Sequence, residues 1–237
     1  MKDSLALWEK KCLKYPTYTE LMTKSFQQRL ANLYPAEGIK LMTLAVRQMC
    51  EATLAGSEFM GYKVYHEQSL MEQDRLAADL TERYRQLVTV EGLATGAGGL
   101  LTGLADFPLF LSMKMRYLHE LAGIYGFDAS HYGERIYMLY IFQLTFSSSL
   151  IRRKTFLLMQ AWPTQGKDVI KQGEWDWQTF QQEYRDAIDL AKLFQLVPGI
   201  GGAVGAVVNH SLFSQLAING QQAYHMRLMH LQQKDRL

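Results

Sequence analysis

Apolar residues recur every three or four positions from one end of the chain to the other, and nowhere do they alternate with polar ones long enough, between turn residues, to mark a strand. The pattern predicts an all-α protein. Between Ala36 and about Met60, just after Pro35, the positions Ile39, Met42, Val46 and Met49, continued by Thr53 and Leu54, line one helix face with Lys40, Arg47 and Glu51 largely off it. From Ser69 to Val88 an inner face runs through Leu70, Leu76, Leu80, Tyr84 and Leu87, opposite a dense mixed-charge surface. A helix capped by Asp106, with Pro108 in its first turn, runs to Tyr125-Gly126-Phe127, where glycine supplies a left-handed residue and phenylalanine an apolar contact behind it. Further helices are expected from about Ser130 to Leu158, from Gln178 to Val197, and from Gly202 to Gln233 with Phe213, Leu216, Ala217, Tyr224, Leu228 and Leu231 inward. Between Ala161 and Trp177 the periodicity fails, and a proline, two glycines and three of the four tryptophans predict a long loop there.

Two segments break the ordinary helix grammar. "GLATGAGGLLTGLADFPLF", from Gly92, and "LVPGIGGAVGAVVNHSLF", from Leu196, both place small residues four apart among apolar ones. A glycine inside a helix costs about 0.5–1 kcal/mol against alanine, so five glycines between Gly92 and Gly103 need a compensating gain. One reading is that the segments cross each other or their neighbours in the core, where missing side chains let backbones approach. Another is that they are short apolar hairpins or half-helices that enter a lipid interface. Neither is a simple transmembrane span: the charge-free runs Leu93–Ala105 and Leu193–Val208 have 13 and 16 residues, against about 20 for a spanning helix.

Composition narrows the classes. A chain of 237 residues, 48% apolar, can bury a substantial core and is read as one domain, 1–237. A net charge of +2, with Arg152-Arg153-Lys154 the one basic triplet, argues against nucleic acid. Cys12 and Cys50 have no partner at metal or disulfide spacing and read as reduced and buried. Asp3, Glu9 and the early lysines exclude a signal-peptide core, so the default location is cytoplasmic.

The polar residues around the glycine segments, Glu91, Asp106, Arg116, His119, Asn209 and His210, are the candidate functional cluster; Arg116 and His119 stand one turn apart and are expected to share a helix face. Pairing of Arg116 with Glu91 or Asp106 is the plain expectation; a metal site would need about three converging ligands. No zinc-protease, nucleophile-elbow, phosphate-loop or paired-cysteine motif occurs, and no cofactor or metal is expected. Leu100, Leu101, Ile200 and the tryptophans Trp162, Trp175 and Trp177 are the candidate membrane contacts, since indole rings favour the headgroup region.

From about Tyr84 to the C-terminus the chain resembles the bacterial EcsC family. The resemblance lies in Glu91-Gly92 before the glycine run, Asp106-x-Pro108 after it, Arg116-x-x-His119, Tyr125-Gly126, and the late Pro198-Gly-x-Gly-Gly segment ending in Asn209. It implies no settled activity and no catalytic residues. It does imply, through a gene neighbouring an ABC exporter, a link to secretion or the cell envelope. The leading expectation is a non-enzymatic accessory protein, peripheral at the inner face of the membrane, whose partner is the membrane surface or a membrane protein, an ABC transporter among the candidates. An apolar-ligand carrier with a lipid in its interior is the alternative. A hydrolase or metalloenzyme built on Glu91, Asp106 and His119 is the third reading.

Overall fold

In the computed structural model the described residues are 2–15, 36–56, 63–97, 107–165 and 201–234. Among them every regular element is a helix: α1 (Lys2–Leu13), α2 (Ala36–Ala55), α3 (Leu70–Ala97), α4 (Phe107–Ile124), α5 (Tyr132–Phe146), α6 (Ser149–Gln165) and α7 (Gly201–Lys234). The all-α expectation holds.

The axis of the fold is the antiparallel pair α3 and α7, the most extensive helix contact among the described elements. Its register is set by side chains that meet along it. His225 lies 2.6 Å from Asp74, Gln221 donates to the Thr81 hydroxyl, and Tyr84 stacks on Phe213 with centroids 6.2 Å apart. α3 runs on to Ala97 rather than ending near Val88, so Gly92 and Gly96 are helical.

Helix α4 crosses this pair. Tyr117 packs edge-on against Phe213 at 4.9 Å and Tyr84 at 5.4 Å. At the crossing α7 carries Gly220, where a Cβ would lie 2.7 Å from Leu121 Cδ2. This is the close approach that small residues permit, found at a glycine outside both rich segments. α4 ends as the sequence predicts: Gly126 has φ +84°, its N–H donates to Gly123 O, and Phe127 N–H donates to Ala122 O. Phe127 then stacks on Tyr224.

Helix α5 buries 12 of its 15 residues, Ile136 to Phe146 without a break, and so lies inside the assembly rather than on it. That continuity hides a boundary. The helix expected from Ser130 to Leu158 is two helices, because Ser147 turns extended at φ −99° and ψ 165°, and α6 restarts with Arg152 N–H donating to Ser148 O. α6 continues through Trp162 to Gln165, five residues into the stretch expected to be loop. α2 buries Val46, Met49 and Thr53 as expected, but stops at Gly56, φ +71°, not near Met60. Two inward assignments are corrected: Leu87 is 54% and Leu231 40% exposed. On α3 the buried row is instead Gln73, Ala77, Leu80, Thr81, Tyr84 and Val88, a stripe that alanine and threonine complete. The expected helix at 178–197 lies outside the described residues.

Candidate functional site

Helix α1 docks through Leu5, Trp8 and Cys12, spaced three and four apart and all buried. Trp8 meets Phe156 of α6 edge-on at 5.4 Å, and its indole N–H donates to Asn219 Oδ1 of α7 at 2.8 Å. The Asn219 amide in turn donates to the Thr145 hydroxyl. These contacts fix four helices, α1, α5, α6 and α7, around a cavity of about 280 Å³, walled by Leu7, Trp8, Lys11, Arg152, Ile218 and Asn219 among others. Leu7 and Ile218 remain 70% and 55% exposed beside it.

The packing gathers cations that sequence order scatters. Lys11 and Arg152 share the cavity wall. Arg153 lies over the ring of Tyr15, 4.6 Å from its centroid, next to Lys14. Neither α6 nor α7 contains an aspartate or glutamate anywhere along its length. Leu150 and Leu157, seven residues apart and hence on one side of α6, are 48% and 41% exposed. The result is a surface with a positive, carboxylate-poor character and several unburied aliphatic side chains.

A second polar cluster sits in the core at the other end of α7. Glu134, buried on α5, accepts from Arg227 at 2.5 Å and from the Tyr224 hydroxyl at 3.0 Å. The Arg227 guanidinium is sandwiched over Phe127 and Tyr137. Burial pushes the Glu134 carboxyl up, against the pull of Arg227 and Tyr224. Beside it, Tyr125 donates to Asp74, the same carboxylate that meets His225. These bonds tie α3, α4, α5 and α7 together.

The sequence-based candidates are placed as follows. Arg116 is exposed and His119 buried, so the two do not share a face. His210 is exposed on α7; Glu91 is on α3 and Asn209 on α7. Asp106, Leu100, Leu101, Trp175, Trp177 and Ile200 lie outside the described residues. Trp162 is buried, its ring 5.7 Å from Tyr137 and 5.8 Å from Tyr140. Cys12 and Cys50 are both buried and free. Among the described residues no three histidine, cysteine or carboxylate side chains are placed to hold a metal, and no helix is long and apolar enough to cross a membrane.

His119 gives a pH test of the core. Burial, with Arg135 adding repulsion, lowers its pKa from 6.5 to about 4. The folded protein then holds it neutral while the unfolded chain takes up a proton below pH 6.5. Stability is full above that pH and falls as pH drops toward 4. Between pH 7 and 5 the wild type should lose about 2 kcal/mol more than His119→Gln in urea unfolding; equal losses would contradict the assignment.

The chain matches the model of the EcsC protein family over residues 2–229, so the match takes in α1 and α2 as well as the region after Tyr84. It is 40% identical over 230 residues to "Protein EcsC" of Bacillus subtilis (strain 168), covering 97% of this chain and 94% of that one. It is 26% identical over 232 residues to "Uncharacterized protein YdbA" of the same organism, covering 93% and 85%. No solved structure matches it.

Proposed function

The chain belongs to the EcsC protein family, and on that premise we propose that it is a peripheral binding protein that docks on an anionic membrane face through α1, α6 and the adjoining turns of α7. The observation that carries this reading is the juxtaposition of Lys11, Lys14, Arg152 and Arg153 with the exposed Leu7 and Ile218, on helices of which two hold no carboxylate. Each cation near such a surface contributes about 1 kcal/mol, and the attraction fades with salt. The aliphatic side chains add contact with the acyl boundary, an arrangement typical of proteins that lie on a bilayer rather than span it. An accessory role beside a membrane transporter, as the family resemblance implies, would use such a face.

Vesicle flotation tests the proposal. The protein is expected to float with vesicles rich in phosphatidylglycerol at low salt, and to stay at the bottom with phosphatidylcholine vesicles or at high salt. Flotation that ignores lipid charge, or none with either vesicle, would contradict it.

A further inference from the structure

The cavity beside Trp8 is a built site within that face, and its walls differ in kind. Lys11 and Arg152 supply the charged wall, and no carboxylate lines it. Arg152 donates from Nε to Leu144 O and from Nη2 to Ser147 O, which holds the guanidinium in place at the end of α5. Asn219 is immobilised by its bonds to Trp8 and Thr145, so the floor is rigid. Burial pushes the Cys12 thiol up to about 12, so it stays neutral and adds no negative charge to the lining.

We infer that this cavity seats a single phosphate group, presented by the headgroup of an anionic glycerolipid. A guanidinium and an ammonium lining one cavity with no carboxylate beside them suit a tetrahedral oxyanion better than a planar apolar guest. Size points the same way. At about 280 Å³ the space is at the small end of ligand pockets, which run from roughly 300 to 1,000 Å³. It holds a phosphate and its glycerol carbons but not acyl chains. Those chains would leave over Leu7 and Ile218, which stand exposed beside the cavity. The lipid source rests on the docking reading above; the phosphate seat itself does not.

Titration calorimetry of the full chain with three probes tests this: monomeric dihexanoyl phosphatidic acid, dihexanoyl phosphatidylcholine and inorganic phosphate. The phosphatidic acid is expected to bind, to raise the unfolding temperature, and to lose about tenfold in affinity in Lys11→Gln, the worth of one charge-assisted contact. Lys11 is the better position because Arg152 also holds backbone carbonyls. Binding of inorganic phosphate as tight as that of the lipid would keep the seat and assign it a soluble ion. No binding of either phosphate by a protein that still floats with anionic vesicles would overturn the seat and leave the docking face standing. No binding and no flotation would remove both.

Discussion

Glu134→Ala is expected to lower unfolding free energy by about 3–5 kcal/mol, the range seen when one member of a buried ion pair is removed. The carboxylate is 5% exposed and its partner Arg227 is held between Phe127 and Tyr137. Without Glu134 the guanidinium stays in that apolar slot with its charge uncompensated, and the Tyr224 hydroxyl loses its acceptor. Tyr224→Phe removes the hydroxyl alone and should cost about 1 kcal/mol. Urea unfolding of the two variants separates the effects. A loss below about 1 kcal/mol in Glu134→Ala would mean that Arg227 swings out to water, a motion its aromatic sandwich argues against.

Phe213→Ala should cost a similar amount, about 3–5 kcal/mol, for a different reason. The ring is fully buried where α3, α4 and α7 meet, edge-on to Tyr117 and stacked near Tyr84. Tyr117 is tethered to Thr81, which Gln221 also reaches, so the walls around the vacancy are pinned and collapse poorly. Phe213→Leu keeps most of the volume and should lose less than half as much. Equal effects from leucine and alanine would indicate that ring geometry, not filled space, governs this junction.

Much of the fold was legible because its signals are local. The Val46, Met49 and Thr53 stripe, the Phe213, Leu216, Ala217 and Tyr224 stripe, and the Gly126 stop each follow from residues within a few turns of one another. Boundaries were legible only where such a signal interrupted the pattern. From Ile136 to Phe146 every residue is buried, so apolar periodicity has no polar face to mark it, and the break at Ser147-Ser148 passed as helix. Leu87 misled because it falls near the inner row while Val88 takes the buried place.

The candidate site was much less legible, since its parts come from four helices. Lys11, Arg152 and Ile218 are unremarkable one by one, and the basic triplet at Arg152 looked isolated because nothing in sequence order places α1 against α6. A cue was present in the spacing of Leu5, Trp8 and Cys12, which puts Leu7 and Lys11 toward the edge of the docked face. Arg116 and His119 show the reverse error. Three residues on a helix differ by about 60° in direction, enough to straddle the boundary between core and solvent, and the two fall on opposite sides of it.

The docking face is tested most directly by asking which side of the molecule meets lipid. An environment-sensitive fluorophore can be placed at Leu7→Cys, beside the cationic cavity, or at Met71→Cys, 82% exposed at the start of α3. Cys12 and Cys50 are buried, and a mock-labelled wild type measures any reaction with them. On adding anionic vesicles, emission from position 7 should shift to the blue while emission from position 71 stays unchanged. A shift at 71 with none at 7 would place the membrane on the wrong side of the protein and contradict the proposal.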